Sequence, residues 1–247
     1  MNRILFDASE ITDGLVTFGG VRAEHVLRIL HGEVGQMLKT GEINGLIGTG
    51  EIVAVDDASS AAPQVTVRVR HDTSSRAPWA DLVLAPPRPR VFKRLLPQLA
   101  AMGVGRIFLV GAAKVEKDFW GATLLKEENY RPLLIDGLMQ AGTSALPTLS
   151  CRRNFRRFLR DELEGLSFPP RRIVAHPYGA GADDPSEAES DGRLTLAIGP
   201  EGGWTDEEVE LLEARGFRRY SLGPRILRTD TATIALLARL APREERT

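Results

Sequence analysis

Cysteine is nearly missing from this chain, with Cys151 its one instance in 247 residues. That excludes an internal disulfide and any cysteine-rich zinc site, and leaves a packed or half-exposed free thiol as the expected state. The four histidines, His25, His31, His71 and His176, show no metal-ligand spacing, so no metal is expected. Long hydrophobic runs are lacking as well: none reaches the roughly 18 apolar residues of a membrane span. The opening MNRILFDASE carries acidic residues and no long apolar run, so a cytoplasmic protein with no membrane partner is expected. Neither charge is in excess. The 32 Lys and Arg against 33 Asp and Glu leave a net charge of -1 and no overall attraction to polyanions. A GxGxxG after a strand and a GK[ST] are both missing, which counts against a dinucleotide or P-loop enzyme. No internal repeat is visible.

What is present is a globular composition, 43% hydrophobic and 26% charged, with enough chain for one large core or two smaller ones. Residues 1 to about 75 read as a small β-rich unit. Arg3–Phe6, Leu15–Phe18, Gly45–Val55 and Val65–Arg70 are strand candidates, the last alternating Val65, Val67 and Val69 with Thr66, Arg68 and Arg70. Ala23–Leu30 reads as one short helix. GTGE at Gly48–Glu51 has no helix pattern behind it and reads as a hairpin turn rather than a nucleotide loop. The unit is acidic: 6 Lys and Arg minus 10 Asp and Glu over residues 1–75 gives -4, which runs against nucleic-acid binding there. The polar, proline-ended HDTSSRAP at His71–Pro78 reads as a linker.

Beyond the linker, strands and helices alternate. Strands are expected at Leu82–Ala85, Ile107–Val110, Arg172–Ala175 and Leu194–Ile198. Helices are expected at Val91–Met102, kinked by Pro97 and closed by Gly103, at Leu124–Gln140 despite Pro132, and at Asn154–Leu163. The sum is an α/β fold, a largely parallel sheet with helices on both faces. The acidic, glycine-rich stretch 177–192 reads as a flexible surface loop. Basic residues fall into three groups: Arg88, Arg90, Lys93 and Arg94; then Arg152, Arg153, Arg156, Arg157 and Arg160; then Arg215, Arg218, Arg219, Arg225 and Arg228. The middle group reads as a solvated, ion-paired helix face and the outer two as phosphate contacts.

The chain is organised around Leu194–Leu240. An apolar strand stops at Gly199, and Gly199-Pro200-Glu201-Gly202-Gly203 forms a loop whose glycines let backbone press against a ligand. Thr205 and Glu208 then make a capping box, and Gly216 suits the end of the helix that follows. A second strand, Arg219–Leu222, ends at Gly223-Pro224, and Ile226-Leu227-Arg228-Thr229-Asp230-Thr231 leads into an Ala/Leu-rich helix. Two loops at the ends of two strands place a crevice where open α/β sheets hold ligands.

The pair GPEGGWTxEE and LGxRILRTDTA resembles the signature of the RsmE family, SPOUT-class methyltransferases that modify a uridine at N3 in small-subunit ribosomal RNA. The resemblance implies a PUA-like, RNA-binding β-barrel over residues 1–73 and a trefoil-knotted methyltransferase domain over 74–247. It implies S-adenosyl-L-methionine as cofactor, 16S ribosomal RNA or the assembled small subunit as partner, and a homodimer. The cofactor would be held by Ile198, Gly199, Pro200, Glu201, Gly202 and Gly203, together with Leu222, Gly223, Ile226, Leu227, Thr229 and Thr231. HVLRILHGEVGQ at His25–Gln36 matches the family's N-terminal unit and would turn Arg28 to RNA, with Arg88, Arg90 and Arg94 doing so from the first helix. The reaction requires that the uridine N3 proton leave and that charge on the base be offset. Arg228 would orient the base, while Glu201 or Asp230 would assist proton removal or cap the helix that follows each.

The chain departs from that family where it shows Gln98 and Ala101 in place of charges, Thr143 in place of the arginine after Gln140 and Gly142, and Asp230 in place of a longer acid. These changes spare the cofactor loops. They leave open a different target nucleotide, a ribosome-associated RNA-binding protein that has lost turnover, or an unrelated α/β enzyme using a nucleotide cofactor.

Overall fold

The computed structural model describes residues 3–56, 62–178 and 192–242. It divides into two compact units, Met1–Ala77 with Leu138–Leu146, and Pro78–Gly137 with Pro147–Thr247. The first unit thus takes a segment from the middle of the chain, which the single boundary at 73/74 did not anticipate.

In the first unit, β1 (Ile4–Phe6), β2 (Leu15–Phe18), β3 (Met37–Glu42), β4 (Ile47–Asp56) and β5 (Gln64–Thr73) form one sheet in the order β1-β3-β4-β5-β2. Pairing is antiparallel except between β1 and β3. The alternation read in β5 holds: Val65 and Val67 are buried, as a sheet with one covered face requires. They join Phe6, Phe18, Val26 and Ile52 in one core, and each such side chain contributes about 1.5–3 kcal/mol by leaving water. Helix α1 (Gly20–Glu24) runs on into a π turn at His25–Ile29, so the helical stretch starts before the expected Ala23. Arg22 lies 5.4 and 5.5 Å over the Phe6 and Phe18 rings and pairs with Glu10. GTGE is not a turn. Gly48–Glu51 sit inside β4, and a Cβ at Gly48 would lie 2.0 Å from the Arg70 carbonyl oxygen, so the glycine serves close strand approach at a register shift. The turn falls earlier, at Asn44, where φ is 61°. His71 to Thr73, read as linker, extend β5.

The second unit holds β6 (Ala80–Leu84), α2 (Pro89–Ala101), β7 (Val104–Val110), α3 (Glu127–Ala141, ending in the first unit), β8 (Thr148–Arg152) and α4 (Phe155–Arg157), which continues as a π turn to Glu162. Then come β9 (Arg172–Ala175), β10 (Leu194–Ile198), α5 (Asp206–Glu213), β11 (Arg218–Tyr220) and α6 (Thr229–Leu240). The acidic stretch 177–192 lies, for residues 179–191, outside the described residues. All strand pairs are parallel, in the order β11-β9-β10-β6-β7-β8. The central strands β6 and β10 are buried throughout, which explains their unbroken apolar sequence. Helix α2 runs through Pro97 and buries Phe92, Leu95, Leu96 and Leu99. Leu236, Leu237 and Leu240 of α6 are buried within this chain, so these leucines are core rather than interface.

Because every strand points the same way, all carboxyl ends lie on one edge. The chain leaves β10, passes β9 and returns as β11, which brings the loops after β9, β10 and β11 together there.

Candidate functional site

A cavity of 440 Å³ opens on that edge, within the few hundred cubic ångströms usual for small-molecule sites. One wall is the loop after β10. Gly203 closes a turn by donating its N–H to the Pro200 carbonyl at 2.8 Å, at a φ of 69° that glycine accepts without strain. Gly199 packs tightly, since a Cβ there would lie 3.0 Å from the Trp204 nitrogen. Trp204 is buried and stacked on Phe155, ring centroids 5.2 Å apart. The capping box forms as expected: Thr205 N–H donates to Glu208 Oε2 at 2.9 Å, and Glu208 N–H donates to Thr205 Oγ1 at 3.3 Å. Glu208 Oε1 also accepts from Ala113 N–H at 2.7 Å, tying the loop after β7 to the start of α5.

The opposite wall is the loop after β11. Ser221 Oγ sits 3.2 Å from the carbonyls of Pro177 and Gly223 and accepts from Gly223 N–H at 3.1 Å, so one hydroxyl knits the ends of β9 and β11. Leu222, Ile226 and Leu227 stand exposed at 39%, 75% and 39%, and Tyr178 at 67%. Among the described residues, these four are the only large hydrophobics exposed in the second unit, and all line this cavity. Apolar surface left in water and gathered round one cleft marks a binding site.

Of the expected cofactor residues, Ile198 to Gly203, Leu222, Gly223, Ile226, Leu227 and Thr229 line the cavity. Thr231 does not; it lies exposed on α6. Lys114, His176, Tyr178 and Ser221 also line it and were not read from sequence, and Arg225, expected as a phosphate contact, lines it too. Lys114 donates to the Gly202 carbonyl at 2.9 Å.

The two acids of the loops are tied to α2. Glu201 Oε1 accepts from the Arg88 N–H at 2.9 Å, so it serves the start of α2 rather than the helix that follows it in sequence. Asp230 Oδ2 accepts from Arg94 Nη2 at 3.2 Å and Oδ1 accepts from Thr231 N–H at 2.9 Å. Arg228 precedes α6, is exposed and forms no ion pair among the described residues. Arg88 pairs with Glu116 at 3.0 Å, while Arg90 and Arg94 are exposed on the α2 face. Arg28 is exposed on the π turn of the first unit. Four of the five arginines of the middle group are ion-paired as expected, Arg152 with Glu162, Arg156 with Glu207, Arg157 and Arg160 with Asp161, while Arg153 lies over the Trp120 ring instead. Among the described residues, no cluster of three or more His, Cys, Asp or Glu is placed for a metal, and no helix is long and apolar enough to cross a membrane.

A family profile described as RNA methyltransferase domain matches residues 75–241. The chain is 31% identical over 241 residues to the ribosomal RNA small subunit methyltransferase E of Treponema pallidum, covering 96% of this chain and 90% of that protein. It is 25% identical to the ribosomal RNA small subunit methyltransferase E 1 of Borreliella burgdorferi, covering 95% of each. The fold is similar to that of a putative methyltransferase from Legionella pneumophila solved with the bound cofactor SAM, at TM-score 0.74 and 25% identity over 97% of this chain and 96% of that one. The small-subunit methyltransferase E of Neisseria gonorrhoeae, bound to S-adenosyl methionine, shares the fold at TM-score 0.71 and 19% identity over 96% of this chain and 95% of that one.

Proposed function

The chain belongs to the RNA methyltransferase domain family, alongside the ribosomal RNA small subunit methyltransferase E proteins, and from that premise we propose how its cavity works. The protein is an S-adenosylmethionine-dependent methyltransferase of small-subunit ribosomal RNA, and N3 of a uridine is the acceptor we infer. One observation carries the cofactor assignment: the exposed apolar side chains of the second unit surround a cleft whose other wall is glycine backbone. A nucleoside needs that pairing, apolar faces for its ring and free backbone groups for its polar edge. Leu222, Ile226 and Leu227 would hold the ring, and the Gly199–Gly203 loop would face its polar groups.

When bound, S-adenosylmethionine supplies a methyl group made electrophilic by its sulfonium. The chain's part is to align the base, take the N3 proton and offset charge on the base carbonyls. Glu201 is the better placed proton acceptor of the two acids. It lines the cavity, and Oε2 has no partner among the described residues, whereas both oxygens of Asp230 are engaged and Asp230 lies outside the lining. Asp230 then works as the anchor that sets Arg94 on α2. Arg228, exposed and without an acidic partner, meets the base or its phosphate. Arg88, Arg90 and Arg94 would add phosphate contacts from α2 and Arg28 from the first unit, which we take as the PUA-like module.

The trefoil knot and the homodimer belong to the same proposal. The strand order, in which the chain passes β9 to become β11 and then turns into the cavity loop, supports the threading. Calorimetric titration with S-adenosylmethionine tests the cofactor site: uptake near one per chain is expected, and no uptake overturns the assignment.

A further inference from the structure

On the reading that small-subunit RNA is the substrate, we propose that Trp120, lying under the Arg153 guanidinium, is a stacking platform for an unpaired base neighbouring the one that enters the cavity. The Arg153 guanidinium carbon is 5.7 Å from the Trp120 ring centroid, and Arg153 Nη2 donates to the Trp120 carbonyl at 3.2 Å. Arg153 is the one arginine of its group whose guanidinium meets a ring; the other four meet carboxylates. Trp79 and Trp204 are buried at 6% and 5% exposure, while Trp120 is only half-buried.

The site is held from below. Phe119 is buried, packs edge-on against Phe92 of α2 with centroids 5.7 Å apart, and meets Trp120 at 90°. The adjacent Phe119 and Trp120 therefore divide the work, one plugging the core and the other lying at the surface. Arg153 is fixed as well. Gly111 N–H donates to the Arg152 carbonyl at 3.1 Å, and a Cβ at Gly111 would lie 2.0 Å from the Arg153 carbonyl oxygen.

Position ties this platform to the cavity. Trp120 follows β7 and Arg153 follows β8, so both stand on the carboxyl edge that carries the cavity. The segment from Lys114 to Trp120 starts on the cavity wall, where Lys114 holds the Gly202 carbonyl. Its six steps span at most roughly 20 Å, a stretch that a few nucleotides of single strand cover. Lys117 and Arg153 are exposed and form no ion pair among the described residues, Asp118 follows Lys117 in sequence, and Glu116 is paired with Arg88. An aromatic face with a guanidinium beside it and spare positive charge suits an unpaired base and its phosphate.

The test compares wild type with Trp120→Ala, Trp120→Leu and Trp120→Phe, using a single-stranded, uridine-containing RNA oligonucleotide. RNA affinity should fall about 5- to 150-fold in the alanine and leucine variants, the range for one lost stack. The phenylalanine variant should retain most of it. Wild-type tryptophan fluorescence should be quenched by the RNA, and the quench should vanish in Trp120→Phe while S-adenosylmethionine affinity stays at the wild-type value. In methyl transfer, KM for RNA should rise with kcat little changed. The leucine variant keeps apolar volume and is the deciding comparison if the alanine variant melts early. Unchanged RNA affinity in Trp120→Leu, with wild type binding RNA, overturns the platform. If wild type binds RNA but methylates none, the proposed reaction falls and the binding arm still decides the platform; if wild type binds no RNA, both fall.

Discussion

Glu201, in the loop after β10, accepts a hydrogen bond at 2.9 Å from the backbone amide of Arg88, the residue that opens α2. The same carboxylate lines the cavity, so structural and chemical roles are separable by substitution. Glu201→Gln keeps an oxygen for the Arg88 amide and loses the base. Methyl transfer should fall about 10²- to 10⁴-fold, the usual span for a lost general base, with S-adenosylmethionine affinity by calorimetry held near wild type. Equal losses of cofactor affinity and turnover would assign Glu201 to structure alone.

Arg228 is exposed and forms no ion pair among the described residues, so removing it should cost activity without costing fold. Arg228→Ala should lower kcat about 10²- to 10³-fold, as loss of one charge-stabilising donor does, while the melting temperature is unchanged. Normal methylation by this variant discards the role.

The glycines of the cavity loop should fail in two ways. Gly199→Ala puts a Cβ 3.0 Å from the Trp204 nitrogen and 3.2 Å from its Cδ1, so the loop must shift. Transfer should fall at least tenfold, since small misplacements of a bound reactant are costly. Gly203→Ala meets nothing within 4 Å but imposes a φ of 69° on alanine, and should cost about 1 kcal/mol of stability. Denaturant melts beside rate assays separate the two.

Within the sheet of the second unit, Asp81 of β6 is a buried acid held chiefly by Arg106 of β7. Asp81 is 3% exposed and accepts from Arg106 Nε at 2.9 Å and Nη2 at 2.6 Å. Arg106→Met leaves that carboxylate buried without its main partner and should cost about 3 kcal/mol, read as a fall in denaturation midpoint.

Acid should weaken the first unit. Burial holds the His71 imidazole below its ordinary 6.5, and Nε2 lies 3.0 Å from Thr40 Oγ1. A base whose folded pKa is depressed takes up fewer protons folded than unfolded, so stability is full above about 6.5 and drops as pH falls below it. His71→Gln should flatten the fall in melting temperature between about pH 7 and pH 5. An unchanged slope assigns the acid sensitivity to other groups.

Local patterns were legible in the sequence where one stretch of chain decides the outcome. The valine alternation of β5, the Thr205–Glu208 capping box and the glycine loop at Gly199 each follow from neighbours a few residues apart. β3 escaped notice because Lys39, Gly41 and Glu42 have little strand preference, and pairing with β1 and β4 overrides it. β8 escaped because it is a short, half-exposed edge strand. Lys114, His176 and Tyr178 reach the cavity only through the parallel order of β7, β9 and β10, which no local signal carries. The same holds for the acids. Glu201 looks like a cap for the helix after it, yet its partner Arg88 lies more than 100 residues away, and Asp230, which does meet the Thr231 amide of its own helix, also holds the equally distant Arg94. GTGE misled because glycines that permit a turn also permit close strand contact, and only the facing Arg70 carbonyl distinguishes the two.

The most direct test of the account is transfer of labelled methyl from S-adenosylmethionine to small-subunit ribosomal RNA by the purified protein, with the modified nucleotide mapped. A single uridine labelled at N3, and lost with Arg228→Ala, is the predicted result. RNA that stays unlabelled while the protein binds the cofactor, or label that persists undiminished in the variant, would contradict it.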